Sequence, residues 1–217
     1  MSDCLGLFAK YWQPGRVKTR LAASIGDEAA AEVYQQFVIT LLNRLQDQGD
    51  QRWLAFDPPE QAQEFESLTA EHWQSEPQSD GDLGQRMQAF FKHRLAKGNN
   101  RVILLGTDSP NVPLDYLHQA WELLHDNDAV LGPTEDGGYW LIGVSAEVPE
   151  LFENIPWSSP EVWEATHSAL QNAGRSFASV PDWYDVDEHY DLQRLILDLQ
   201  EGIGHDPELD SLLERIM

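Results

Sequence analysis

The sequence predicts a single-domain α/β fold, with one mainly parallel sheet, an antiparallel insertion and helices on both faces. Strand-like and helix-like segments alternate along the 217 residues, and strands separated by helices require right-handed crossovers that build a parallel sheet. The short connection 135–138 joins strand-like segments at 129–131 and 139–144, which predicts two antiparallel strands. No repeat or linker is visible. We therefore expect one domain over 1–217, with a core at about 4–200 and a terminal helix at about 207–216.

Hydrophobic periodicity assigns the remaining elements. Strands are predicted over residues 5–9, 53–56, 72–74, 102–105 and 177–180. Helices are predicted over about 26–45, 59–68, 87–98, 114–125, 161–173 and 188–200. In the first of these helices Val33, Phe37, Leu41 and Leu45 recur every fourth residue, which is typical of a buried helical face.

The composition is that of a folded, strongly acidic protein. A hydrophobic fraction of 41% with eight Trp suffices for a core, and one cysteine, Cys4, excludes an internal disulfide. The formal charge of -23 and a pI near 4.4 disfavour duplex nucleic acid and anionic membranes as partners, because both require many cationic contacts. Without a basic leader or a run long enough to cross a bilayer, the protein is expected to be cytoplasmic.

Residues 10–20 contain no acid and carry four of the chain's 14 basic residues, Lys10, Arg16, Lys18 and Arg20. They follow the first predicted strand and include Pro14 and Gly15. Loops at strand ends that combine glycine with cations hold phosphates in α/β proteins. If the segment is extended, alternate side chains share a face and three of the cations converge. The alternative is a surface turn with exposed cations.

Carboxylates follow two other predicted strands. Asp108 comes after strand 102–105 and precedes Pro110, and Asp185 and Asp187 share one side of an extended segment. Oxygen ligands of this kind suit Mg²⁺ or Mn²⁺, which also keep waters and substrate phosphates. The alternatives are an Asx turn or helix cap at Asp108 and a helix N-cap at Asp187.

Four ordered motifs carry a family resemblance: Phe8-Ala-Lys10 together with Pro14-Gly-Arg-Val-Lys-Thr-Arg-Leu21, then Gly81-Asp-Leu-Gly-x-Arg-Met87, Gly106-Thr-Asp-Ser-Pro110 and Gly132-Pro-x-x-Asp-Gly-Gly-Tyr139. The chain resembles glycosyltransferase-like proteins of the nucleotide-diphospho-sugar transferase superfamily, some of them found beside radical-SAM proteins. More distantly it resembles phospholactate guanylyltransferases and molybdenum-cofactor nucleotidyltransferases. The resemblance implies a GT-A-type fold, a nucleotide bound over the end of the first strand, and a divalent cation.

We expect the motifs to divide into three sets of site residues. The predicted nucleotide-binding residues are Lys10, Gly15, Arg16, Lys18, Gly81, Asp82 and Arg86. The predicted acceptor or sugar contacts are Glu135, Gly137, Gly138 and Tyr139, with Lys18, Asp108 and Asp136 as catalytic residues. The predicted ligands of Mg²⁺ or Mn²⁺ are Asp108, Asp185 and Asp187. Simpler alternatives are a tight hairpin turn at Asp136-Gly137 and a helix cap at Asp82.

These residues predict a metal-dependent transferase that uses an activated nucleotide. Cations on both sides of a departing phosphate group offset its growing negative charge. Glycosyl transfer from a nucleotide-diphospho-sugar to a small acceptor is the favoured reaction, because it belongs to the nearer resemblance. Nucleotidyl transfer, with pyrophosphate released, is the alternative. A nucleotide-binding accessory protein without catalysis is a third hypothesis, because Asp108 replaces a usual pair of aspartates.

Overall fold

The computed structural model describes residues 2–69, 71–157, 159, 161–203 and 206–217. Its strands are β1 (Asp3–Lys10), β2 (Gln51–Asp57), β3 (Gln74–Pro77), β4 (Arg101–Leu105), β5 (Ala129–Pro133), β6 (Tyr139–Val144) and β7 (Phe177–Ser179). Its α-helices are α1 (Thr19–Ile25), α2 (Asp27–Arg44), α3 (Ala62–Thr69), α4 (Leu83–Ala96), α5 (Leu114–Leu123), α6 (Val162–Asn172), α7 (His189–Gln200) and α8 (Pro207–Ile216). Short 3₁₀ turns lie at Pro59–Gln61 and Pro149–Leu151.

All the strands of the described residues belong to one sheet, in the order β3-β2-β1-β4-β6-β5-β7. β1 pairs in parallel with β2 and β4, β2 with β3, and β5 with β7. β6 runs antiparallel to both of its neighbours, β4 and β5. The predicted α/β fold class, a mainly parallel sheet with an antiparallel insertion, is confirmed.

Helices cover both faces of the sheet because side chains of the central strands alternate between two cores. Leu5 and Leu7 of β1 point into a cluster that includes Phe37 of α2. Cys4, on the opposite face, belongs to a second cluster that includes Phe90 of α4. The helices α1, α2, α3, α5, α7 and α8 contribute to the first cluster, and α4 and α6 to the second. Burial on both faces explains why β4 reads as a continuous apolar run.

Two local predictions differ from the structure. The strand predicted at 72–74 lies further along, at Gln74–Pro77, where it pairs with the edge of β2. Helix α1 was not predicted, since its only buried residues are Leu21 and Ala22, too few to give a periodic signal. It therefore depends on packing against α2, its main contact.

Candidate active site

The predicted motifs meet at one edge of the sheet. Within the described sheet every strand except β6 runs in the same direction, so their carboxyl ends lie at the same edge as the amino end of β6. The loops that leave this edge include residues 11–18, 78–82, 106–113, 134–138 and 180–188. The carboxyl ends of strands in open α/β sheets are where ligands bind.

Lys18 is the centre of the site. Its Nζ contacts Oδ1 of Asp108 and lies 2.9 Å from Oδ1 of Asp187. The Lys18 side chain is only 3% exposed, whereas those of Asp108 and Asp187 are 43% and 40% exposed. Burial opposes the charged form of Lys18, but the charges of Asp108 and Asp187 outweigh it and raise the pKa of the ammonium above its ordinary value.

The basic loop is not extended, so the condition under which Arg16, Lys18 and Arg20 would share one face is not met. Residues 14–16 form a turn, Lys18 has φ 46° and ψ 43°, and α1 begins at Thr19. Arg16 and Arg20 are exposed, as is Lys10 at the end of β1. The left-handed backbone turns Lys18 alone inwards, toward the two carboxylates.

The segment 184–187 lies against the loop that carries Asp108. Val186 donates its N–H to the carbonyl of Asp108 over 2.8 Å, and Oγ of Ser109 donates over 2.6 Å to Oδ1 of Asp185. Burial, and then the charge of Asp108, raise the pKa of Asp185 to about 7. The N-cap of α7 is Glu188, so the alternative reading of Asp187 as that cap is wrong.

The donor set fits a divalent cation through two of the three predicted ligands. Asp108 and Asp187 share one cationic partner and are open to solvent, which suits Mg²⁺ or Mn²⁺ with several waters retained. Across the described ranges no group of three or more His, Cys, Asp or Glu could hold a metal ion. Metal ligation by Asp108, Asp185 and Asp187 therefore stays a prediction.

Tyr34 of α2 ties two strand ends together and was not singled out in the sequence. Its hydroxyl accepts the N–H of Lys10 over 3.0 Å and lies 2.7 Å from Oγ1 of Thr107. Nζ of Lys18 lies 5.8 Å from the centroid of its ring. Burial, followed by the charge of Asp108, raises the pKa of Tyr34 to about 12, so its hydroxyl stays neutral. In the sequence Tyr34 lies in the apolar stripe of α2, so its spacing predicts core packing and not these hydrogen bonds.

The motif 81–87 forms the start of α4 and borders a cavity. Asp82 caps α4, since its Oδ1 accepts the N–H of Gln85 over 2.9 Å, which agrees with the simpler alternative. Arg86 donates to the carbonyl of Gly81 over 2.9 Å and to Oε1 of Gln78 over 3.2 Å, and pairs with Asp57. The cavity, of about 180 Å³, is lined by Phe8, Ala55, Glu76, Pro77, Gln78, Ser79, Arg86, Ala89, Phe90 and His93.

The hairpin between β5 and β6 stands beside segment 184–187. Trp183 bridges in parallel to Thr134, and the N–H of Glu135 donates to the carbonyl of Trp183 over 3.1 Å. Oδ1 of Asp136 accepts from Oγ1 of Thr134 over 2.5 Å and from the N–H of Gly138 over 3.2 Å. Asp136 therefore shapes a turn, which its alternative reading predicted. Gly137 has φ 92°, which a side chain would strain.

Two predicted acceptor residues already have partners. Both oxygens of Glu135 accept from Nη1 of Arg194, over 3.0 and 2.8 Å. Tyr139 donates to the carbonyl of Val162 over 3.3 Å, and burial raises the pKa of its hydroxyl. Contact of these residues with an acceptor stays a prediction.

A buried arginine, Arg44, holds the loop after Asp108 and was also missed. Its guanidinium donates to the carbonyls of Pro110 and Val112 over 2.5 and 3.2 Å, and its Nε lies 2.8 Å from Oδ2 of Asp206. Because the partners are 66, 68 and 162 residues away, no local signal in the sequence could reveal them.

Comparison with known proteins identifies the family. The family model described as "Uncharacterized protein conserved in bacteria (DUF2064)" matches residues 40–159. The chain belongs to the DUF2064 family. A solved structure, "putative nucleotide-diphospho-sugar transferase" from Desulfovibrio desulfuricans G20, is 31% identical, with a TM-score of 0.86 over 100% of this chain and 99% of that one. No curated protein matches this DUF2064 chain.

Two more distant structures share the fold of this DUF2064 protein. The inositol-1-phosphate CTP transferase from T. maritima is 12% identical, with a TM-score of 0.57 over 100% of this chain and 96% of that one. Rv0371C from Mycobacterium tuberculosis H37Rv, solved in complex with manganese, is 17% identical. Its TM-score is 0.54, over 89% of this chain and 97% of that one. The 31% identical relative supports a nucleotide-utilising transferase. No helix in the described part of the chain is long and apolar enough to cross a membrane.

Proposed function

We propose that this protein is a metal-dependent transferase that moves a glycosyl group from a nucleotide-diphospho-sugar to a small acceptor. The observation that carries the proposal is the convergence of Lys18, Asp108 and Asp187 at the ligand-binding edge of the sheet. The 31% identical Desulfovibrio protein, whose name states this donor class, favours sugar transfer.

The nucleotide is proposed to span the carboxyl end of β1. Gln78 ties this region together, because its side-chain amide donates to the carbonyls of Ala9 in β1 and Ala55 in β2, over 3.3 and 3.0 Å. The cavity beside Gln78 and Arg86 combines aromatic surface with hydrogen-bonding groups, which suits a nucleobase. The diphosphate then extends past Lys10, Gly15 and Arg16 toward Asp108, on the neighbouring strand end.

Asp108 and Asp187 are the proposed ligands of Mg²⁺ or Mn²⁺, with Asp185 beside them. A divalent cation bound there supplies positive charge to the departing phosphate group. Lys18 stabilises the same group from the protein side, and exposed Arg16 adds a cation at the rim of the cleft. The glycines 137 and 138, which carry no Cβ, let a sugar or acceptor approach the hairpin backbone.

Nucleotidyl transfer is a second candidate, and one feature of the hairpin favours it. An inverting glycosyl transfer requires a carboxylate base near the acceptor hydroxyl. Here Asp136 is held in its turn and both oxygens of Glu135 are bound by Arg194. Nucleotidyl transfer to a phosphorylated acceptor requires cations and alignment but no base, and the T. maritima neighbour is named as a CTP transferase.

A thermal-shift experiment separates the candidates, because a ligand that binds only the folded state raises the unfolding temperature. UDP-, GDP- and dTDP-sugars, GTP and CTP are each added with and without Mn²⁺. We expect Mn²⁺-dependent stabilisation by a nucleotide-sugar and release of nucleoside diphosphate once an acceptor is found. Preference for a triphosphate, with pyrophosphate released, identifies nucleotidyl transfer. Nucleotide binding that is unaffected by Asp108→Ala, with no turnover of any donor, contradicts both reactions and favours an accessory role.

A further inference from the structure

The position of Lys18 differs from that of a free phosphate contact. Phosphate-binding lysines present their ammonium to solvent or ligand, whereas this side chain is 3% exposed and its Nζ lies behind two carboxylates that are 43% and 40% exposed. Lysine is almost never fully buried unless it is paired. The ammonium of Lys18 therefore faces the two acids.

The two acids offer their Oδ1 atoms to Lys18. A small divalent cation binds carboxylate oxygens directly, at just over 2 Å, so it cannot share the space between these two atoms with an ammonium. The net charge of the group also favours a cation in place of Lys18. One lysine faces both Asp108 and Asp187, so a single positive charge offsets only part of their negative charge.

The backbone of Lys18 is also unusual. A φ of 46° places a residue with a Cβ in the left-handed region, a conformation that persists only where surrounding contacts enforce it. Within the part of the chain that the structure describes, the Lys18 side chain contacts Asp108, Asp187 and the ring of Tyr34. Loss of those contacts therefore removes much of what holds Lys18 inward.

We propose that Lys18 is an internal counter-ion of the site: its ammonium occupies the position between Asp108 and Asp187 where Mg²⁺ or Mn²⁺ would bind, so cation binding displaces the Lys18 side chain toward solvent. This inference rests on the proposed function. It makes Lys18 available to the substrate phosphates only after the cation is bound, and so imposes an order of binding, with the cation before the nucleotide. It also makes Lys18 a competitor of the cation.

The first experiment measures Mn²⁺ affinity by calorimetry, without nucleotide, for the wild type, Lys18→Met and Lys97→Met. Lys97 is exposed at the end of α4, so its variant matches the change in net charge without touching the site. We expect Lys18→Met to bind Mn²⁺ at least tenfold more tightly than the wild type, and Lys97→Met to stay within twofold. In EDTA, Lys18→Met should unfold at a lower temperature than the wild type, and saturating Mn²⁺ should remove the difference.

The second experiment uses the wild-type protein, so it does not depend on the variant folding. Lysine acetylation is followed by mass spectrometry in EDTA and in saturating Mn²⁺. Lys18 should be protected in EDTA and become reactive with Mn²⁺, while the exposed Lys92 on α4 and Lys97 directly after it should react equally in the two conditions.

The outcomes distinguish this inference from the proposed function. If wild type and Lys18→Met bind Mn²⁺ with equal affinity, or if Lys18 stays protected when Mn²⁺ is saturating, the counter-ion role is overturned and the metal-dependent transferase stands. If neither protein binds Mn²⁺, with or without nucleotide, both are overturned.

Discussion

Replacing Arg44 with methionine tests whether the buried arginine organises the loop behind Asp108. The Arg44 side chain is fully buried and its partner Asp206 is 14% exposed. Methionine fills similar space but removes the charge, which leaves an unpaired carboxylate and two buried carbonyls without their donor. Removal of one partner from a buried ion pair costs about 3–5 kcal/mol, and three lost hydrogen bonds at about 1 kcal/mol each give a similar figure. We expect a loss in this range, which corresponds to a fall of roughly 10 °C in Tm.

Urea unfolding followed by circular dichroism measures this loss directly. Arg20→Met, at an exposed position of α1, removes the same charge and serves as the control. Arg44→Lys keeps the charge but lacks the planar guanidinium, so its loss of unfolding free energy should lie between zero and that of Arg44→Met. If Arg44→Met is no less stable than Arg20→Met, the buried network does not fix this loop and the reasoning is refuted.

Three further predictions address the site and the core. Asp108→Asn should abolish the Mn²⁺-dependent thermal shift while lowering metal-free stability by only about 1 kcal/mol, since the carboxylate is 43% exposed and screened by solvent. Gly84→Ala should cost about 1–3 kcal/mol and change tryptophan fluorescence, because the new Cβ would clash with Nε1 of Trp157. Cys4 should resist iodoacetamide in the native protein from pH 7 to 9 and react in urea: burial raises its pKa to about 12, so the reactive thiolate does not form.

A full thermal shift retained by Asp108→Asn would remove this residue from the metal site. In Gly106→Ala the new Cβ has no atom within 4 Å. If that variant loses as much stability as Gly84→Ala, the contact with Trp157 is not the cause of the loss. Native labelling of Cys4 at the rate of a free cysteine would contradict its placement in the core.

The sheet and its helices were largely predictable because their signals are local. The apolar runs of β1, β4 and β6 mark buried strands, and the four-residue period of α2 marks a helix with one buried face. The location of Asp108 after β4 also follows from the sequence. The sequence could not choose between an extended basic loop and a turn, because nothing near Lys18 shows that its backbone enters the left-handed region.

The contacts of the site could not be predicted because they join distant parts of the chain. Asp187 and Glu188 are adjacent acids, and either can cap a helix; Asp187 instead pairs with Lys18, 169 residues away, while Glu188 caps α7. Likewise Arg194 lies 59 residues from Glu135, on a different element. Periodicity carries no information about such pairs.

By itself, the sequence determined most of the segments that form strands, and therefore that Asp108 and the basic loop each follow the end of a buried strand. Parallel strands whose apolar residues must be buried leave little freedom in that arrangement. Only the tertiary structure decided that Lys18 lies inside, against Asp108 and Asp187, while Arg16 remains outside. The physical reason is that a buried ammonium is stable only where oppositely charged groups surround it, and those groups are assembled by the folded chain as a whole.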